Sequence, residues 1–193
     1  QYMADKIRNV AIAGHGGCGK TSLAEAMLFR AGATDRLGKT ADGNTVCDCD
    51  PEEIKRKVSV SSAVAPLEWK DNKINLIDCP GLFDFAAGVS EGIRAAESVL
   101  IVVSAKSGVN VGTEKAYKLA QQQKKAKMFF VNKLDVEHAD FYKVLEELKT
   151  AFGPSVCPLV VPHMEDGKVA WYINLVDNKA YVYDANGEPN EVP

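Results

Sequence analysis

The apolar positions of this chain alternate between strand-like and helix-like spacing. Residues 8–13 are a short apolar run closed by Gly14, the pattern of a buried strand. Across residues 20–31, Leu23, Met27, Leu28 and Ala31 recur at helical spacing, and Gly32 ends the run. Residues 58–69 and 73–78 predict two strands joined by a turn at Lys70-Asp71-Asn72. Further helices are expected over 86–97, 113–123 and 139–152, the last closed by Gly153-Pro154, with buried strands over 98–104 and 127–131. Residues 34–50 are polar, rich in Gly and Asp and without a period, which predicts a mobile loop. This alternation implies an α/β fold, a mostly parallel sheet with helices on both faces. Beyond Pro154 the texture changes. Residues 156–161, 169–176 and 179–183 are β-rich with no helix between them, and residues 186–193 are polar with two prolines. The organisation expected is an α/β domain over residues 3–153 and the start of a small β-rich insertion over residues 154–193.

Composition narrows the class. The chain has 193 residues, 46% of them hydrophobic and 25% charged, with a net charge of −3. That suits a globular protein and excludes pervasive disorder. The weak acidic balance gives no reason to expect direct sequence-specific nucleic-acid binding. The longest uninterrupted apolar run, residues 99–103, falls far below the roughly 18 residues of a membrane span, so no membrane association is expected. Five cysteines without framework spacing point to reduced thiols and a cytoplasmic address. Cys47-Asp48-Cys49 could bind a metal, but no second Cys/His cluster completes a zinc set.

Gly14-His15-Gly16-Gly17-Cys18-Gly19-Lys20-Thr21 fits G-x-x-x-x-G-K-[ST], and it lies between an expected strand and an expected helix. That arrangement is the P-loop. Its backbone N–H groups and the helix N-terminus cradle phosphates, Lys20 reaches the β- and γ-phosphates, and the Thr21 hydroxyl ligates Mg²⁺. The same residues also satisfy G-x-G-x-x-G through Gly14, Gly16 and Gly19, with Asp35 at a distance that would suit a dinucleotide. Against that alternative, Asp35 does not follow a second strand, and Lys20-Thr21 would have no role. Asp78-Cys79-Pro80-Gly81 follows an apolar strand. Asp78 there can hold Mg²⁺ through water, and the Gly81 N–H can meet the γ-phosphate. Asn132-Lys133-Leu134-Asp135 follows another strand. Asp135 can accept from both N1–H and N2–H₂ of guanine, a pair that adenine does not offer; Asn132 can meet the other base edge, and the Lys133 stem can lie over the ring. Together the three motifs indicate a guanine nucleotide.

On these motifs the chain resembles the GTP-binding domain of translational GTPases, most closely elongation factor G and its paralogues, which include the ribosomal protection proteins. Asp78-Cys79-Pro80-Gly81-Leu82-Phe83-Asp84-Phe85 is similar to that family's DTPGHVDF run, and residues 104–114 resemble the segment leading into its next helix. Residues 161–166 and 173–176 resemble the start of the insertion that elongation factor G carries in this domain. The resemblance implies a P-loop NTPase fold, GTP and GDP as ligands with Mg²⁺, and the ribosome as partner of the full-length protein. The implied activity is hydrolysis of GTP to GDP and phosphate, driving translocation or a related step of protein synthesis. It also places Arg56-Lys57-Val58-Ser59-Val60 where the family has RGITI, so that Ser59 would supply a Mg²⁺-binding hydroxyl.

Two positions depart from the family pattern. Leu82 stands where the family has the His that orients the attacking water, and Gly17 stands where an Asp is usual. Both leave nucleotide binding intact and weigh against hydrolysis, so a GTP-binding switch with weak or lost hydrolysis is the second reading. An adenine-nucleotide P-loop enzyme is the third, opposed by Asn132 and Asp135. Ser104-Ala105-Lys106 is spelled like the loop that backs guanine in many GTPases, but it precedes Asn132, so that loop and the later domains are expected beyond residue 193. Lys124-Lys125-Ala126-Lys127 reads as a helix end, His138 and His163 as surface or structural residues, and Trp69 and Trp171 as packing residues.

Overall fold

Ala11, Ile12 and Ala13 are fully buried, which puts β1 (Ile7–Gly14) in the middle of a sheet. The structure, a computed structural model, describes residues 2–48, 50–56, 59–81 and 86–193. Contacts divide it into two units, residues 1–103 with 110–132 and residues 104–109 with 133–193.

The first unit holds five strands in the order β2-β3-β1-β4-β5, where β2 is Ala63–Trp69, β3 Asn72–Asp78, β4 Ser98–Ser104 and β5 Ala126–Asn132. β1 pairs in parallel with β3 and with β4, and β2 lies antiparallel on the outer edge of β3. The β2–β3 turn is tighter than expected. Trp69 pairs with Asn72, leaving only Lys70 (φ 47°) and Asp71 (φ 62°) in the bend, both left-handed as a two-residue hairpin turn requires. Helix α1 (Lys20–Arg30) returns from β1, and its Ala24 and Leu28 join Ile12, Leu67 and Leu76 in one core. Strand alternation turns Ala11 and Ala13 to the other face, where α3 (Ala86–Ala95) and α4 (Val111–Gln122) pack on β1 and on each other. The chain leaves β1 toward β3 on one side and β4 on the other. Its loops therefore part at the carboxyl end of β1, where ligands bind in open α/β sheets.

Part of the stretch expected as a mobile loop over residues 34–50 is buried. Cys47 enters the core, Thr45 and Asp48 are buried, and α2 (Pro51–Arg56), which no apolar period announces, follows. Helix α4 starts two residues earlier than expected because Asn110 and Thr113 form a capping box. No strand lies between α1 and β2 among the described residues, so Asp35 sits in an exposed loop and the dinucleotide alternative lacks its acidic strand end.

The second unit contains α5 (Phe141–Phe152) and an antiparallel sheet in the order β6-β7-β8-β9. Asp140 caps α5 by accepting from the Lys143 N–H, and the Tyr142 hydroxyl donates to the Pro162 carbonyl at 2.9 Å. β6 (Val160–Glu165) lies later than the expected 156–161, because Pro158 brings no N–H to a ladder. β7 (Lys168–Asn174) and β8 (Lys179–Tyr183) are close to expectation. β9 (Pro189–Val192) is a polar edge strand that apolar patterning could not show. His163 and Trp171 stack at 4.2 Å between ring centres, which gives both a packing role. No helix among the described residues is long and apolar enough to cross a membrane.

Candidate functional site

The segment joining β1 to α1 turns on Gly14, Gly17 and Gly19, at φ 149°, 80° and 96°. Only glycine takes such angles without strain. At position 14 space is limiting as well, since a Cβ would stand 2.5 Å from the Val102 carbonyl oxygen of β4. Lys20 opens α1 and is buried despite its charge, with its Nζ donating to the His15 carbonyl at 3.0 Å and lying 3.8 Å from Cys18 Sγ. The cation is thus folded over the mouth of the glycine loop. Two distant elements brace that loop. The Asn132 side-chain amide, at the end of β5, donates to the Cys18 carbonyl at 3.0 Å, and the Gly112 N–H of α4 donates to His15 Nδ1 at 3.3 Å. A Cβ at position 112 would stand 2.6 Å from His15 Cα, so this helix end reaches the loop only as glycine.

Thr21, Ser59 and Asp78 meet on one hydrogen-bonded chain. Thr21 Oγ1 donates to Asp78 Oδ2 at 2.6 Å, Ser59 Oγ donates to Asp48 Oδ1 at 2.6 Å, and the two hydroxyl oxygens lie 3.2 Å apart. A hydroxyl has one proton. With both protons turned to carboxylates, the lone pairs of Thr21 and Ser59 face each other. Asp78 is 1% exposed, and its second oxygen, Oδ1, is buried without a hydrogen-bond partner among the described residues. Burial pushes the Asp78 carboxyl up to about 6, against the Thr21 hydrogen bond and the Lys20 charge, while the Asp48 and Glu53 carboxylates add to the rise. Converging hydroxyl lone pairs beside an orphaned buried carboxylate oxygen fit a hard divalent cation such as Mg²⁺.

Gly81 closes this group from the far side, since a Cβ there would stand 2.8 Å from Gly16 Cα and 2.9 Å from Gly16 N. Gly17 is different, because a side chain there would meet nothing within 4 Å. Leu82, which carries the departure most relevant to hydrolysis, lies outside the described residues, as do Cys49 and Lys57. Lys133 (φ 62°) and the exposed Asp135 belong to the second unit. Cys47 packs in the core, and no group of three or more His, Cys, Asp or Glu among the described residues is placed to hold a metal. Lys124 and Lys125 follow the end of α4, Lys125 Nζ donates to the Ala96 and Arg94 carbonyls at the end of α3, and Lys127 lies in β5.

Three acidic residues escaped the sequence reading in these roles. Asp48 holds Ser59. Glu25 of α1, 1% exposed, accepts the Val46 N–H at 2.5 Å. Glu53 of α2, 2% exposed, accepts the N–H groups of Val60 and Ser61, which follow Ser59, and that of Asp50 ahead of its own helix. Glu53 had one usable signal, a Pro-Glu-Glu helix start in a stretch otherwise without a pattern.

The chain matches the family described as the elongation factor Tu GTP binding domain over residues 5–190. It is 39% identical over 180 residues to an elongation factor G-like protein of Thermotoga maritima, covering 93% of this chain and 26% of that one. It is 35% identical over 178 residues to the mitochondrial ribosome-releasing factor 2 of Culex quinquefasciatus, covering 92% of this chain and 24% of that one. The crystal structure of a Thermus thermophilus protein superposes with a TM-score of 0.91 at 39% identity, covering 97% of this chain and 28% of that one. The chain therefore spans about a quarter of the length of the curated relatives it matches.

Proposed function

Because this chain belongs to the family of elongation factor Tu GTP-binding domains, we propose that it binds GTP and GDP with Mg²⁺ at the glycine loop and serves an elongation-factor-G-like protein on the ribosome. The supporting observation is the Thr21–Ser59–Asp78 oxygen cluster beside the buried Lys20, with Gly81 against Gly16. On this reading the N–H groups of residues 14–19 and the Lys20 ammonium neutralise the phosphates. Thr21, Ser59 and Asp78 hold Mg²⁺, which supplies charge neutralisation for phosphoryl transfer from GTP to water. Asn132, Lys133 and Asp135 meet the guanine. Residues 154–193 are the start of an inserted β-rich subdomain, and the whole protein works in the compartment that holds its ribosomes, the cytoplasm.

Competition against a fluorescent GDP analogue in Mg²⁺ tests the nucleotide. GTP and GDP should displace it at concentrations at which ATP does not, and equal displacement by ATP would refute the assignment. A second reading keeps binding and loses speed. Leu82 offers no hydrogen bond to an attacking water, and the open site at Gly17 carries no carboxylate. Single-turnover phosphate release should therefore be slow in the isolated chain. Leu82→His should raise it about tenfold, the lower end of what a positioned polar group contributes. Fast ribosome-stimulated release by the unmutated protein would sink this second reading and leave the first standing.

A further inference from the structure

Charge is unevenly spread along this chain. Residues 115–127 carry five lysines and no Asp or Glu, a local +5 in a chain whose net charge is −3. Helix α4 turns Thr113, Ala116 and Ala120 into the fold, and its opposite stripe is Val111, Lys115, Lys118 and Gln122, all exposed. Lys124 follows, also exposed, in a left-handed turn at φ 54°. The fold uses two of the five ammonium groups. Lys125 Nζ meets the Ala96 and Arg94 carbonyls at the end of α3, and Lys127 Nζ reaches Gln121 Oε1 at 2.7 Å and lies 5.2 Å from the centre of the Tyr117 ring. Lys115 and Lys118 stand three residues apart on one helix face, where like charges repel. Lys115 is also too near the amino-terminal end of α4 to gain from the helix dipole. Glu114, four residues before Lys118, is the one acidic residue of this helix.

We propose that the outer face of α4, with the turn after it, is a docking surface for the phosphodiester backbone of RNA, contacted by Lys115, Lys118 and Lys124. The chemistry of the face selects RNA over an acidic protein. Protein interfaces are depleted of Lys and anchored on aromatic or apolar side chains, and on this stripe only Val111 is apolar. Lys and Gln, the residues exposed here, are contacts to phosphate and sugar. The Tyr117 ring is engaged by Lys127 and stacks on Phe129 at 6.2 Å, so it is no platform for bases. Recognition is therefore of the backbone and not of a base sequence. A ribosome offers such a backbone. The surface itself is argued from charge alone, and the nucleotide competition described above tests the glycine-loop site separately, so either reading can fail without the other.

The test is fluorescence anisotropy of a fluorescein-labelled RNA hairpin titrated with the 193-residue chain, starting at about 50 mM KCl. The logarithm of the affinity should fall with the logarithm of salt at a slope of about −2 to −3, the counterion release of three phosphate contacts. Lys115→Gln/Lys118→Gln/Lys124→Gln should lower the affinity at least about tenfold and flatten the slope by about 2. Arg at the same three positions should keep the binding, since the charge persists. Lys6→Gln/Lys143→Gln/Lys168→Gln removes three exposed lysines outside this face and should cost less than about threefold, because salt screens distant charges. Affinity of the first Gln variant for fluorescent GDP should stay within about twofold, as expected for a site that shares no partner with this face. Absence of an anisotropy change, an affinity indifferent to salt, or equal losses in the two Gln variants would overturn the proposal. Displacement of the hairpin by polyglutamate as effectively, charge for charge, as by unlabelled RNA would overturn it too and assign the face to an acidic protein.

Discussion

Asp78→Asn isolates the cost of the buried carboxylate at the centre of the site. The Asp78 carboxyl rises from its ordinary 3.8 to about 6, chiefly through burial. The folded, metal-free protein therefore binds more protons than the unfolded chain between those values. Its stability is highest below about pH 4 and falls as pH rises through about 6. At pH 7 the penalty is about 3 kcal/mol, and at pH 4 it is below about 1 kcal/mol. Asn keeps an acceptor for the Thr21 hydroxyl, but it places an N–H where Asp78 Oδ1 has no partner, at a pH-independent cost of about 1–3 kcal/mol. The net effect at any single pH is a balance of these, but the pH dependence is not. Urea unfolding in EDTA without nucleotide should show the stability of Asp78→Asn, relative to wild type, improving by about 2 kcal/mol between pH 4 and pH 7. Adding Mg²⁺ with GDP at pH 7 should stabilise the wild type more than Asp78→Asn, because only the wild type gains the full binding energy. Parallel stability profiles across this range would refute the argument, since they would mean that Asp78 titrates as an ordinary carboxyl.

The charge of Lys20 and the base contact proposed for Asp135 give two further outcomes. Lys20→Ala should weaken triphosphate binding by about 10- to 100-fold in a fluorescence titration, the loss of a charge-assisted hydrogen bond, whereas Lys124→Ala at the end of α4 should change it little. Asp135→Asn should lower GTP affinity and raise that for xanthosine triphosphate, because Asn offers a donor where Asp offers only acceptors. A nucleotide competition series checks it, and unchanged guanine preference would remove Asp135 from the base site.

The parts whose chemistry is contiguous can be read from the residues alone. The glycine loop, its following helix, the Asp78-Cys79-Pro80-Gly81 turn and Asn132 to Asp135 are legible because backbone conformation and side-chain chemistry there are set within a few residues. The strand–helix alternation was legible for the same reason, since one buried face imposes its period locally. Which of these pieces meet depends on how the sheet is assembled. Thr21 and Asp78 stand 57 residues apart, yet they share a hydrogen bond because β1 and β3 lie side by side, and Ser59, 38 residues from Thr21, brings its hydroxyl oxygen to within 3.2 Å. Tertiary structure also decides the segment between α1 and β2, which has no apolar period to betray it. Its described residues are held by Cys47 in the core and by polar side chains, Glu25 on Val46, Asp48 on Ser59 and Glu53 on Val60 and Ser61. A carboxylate that will accept buried backbone N–H groups has the same composition in sequence as one that faces solvent. What distinguishes the two is desolvation by the folded chain around it, and no local pattern encodes that.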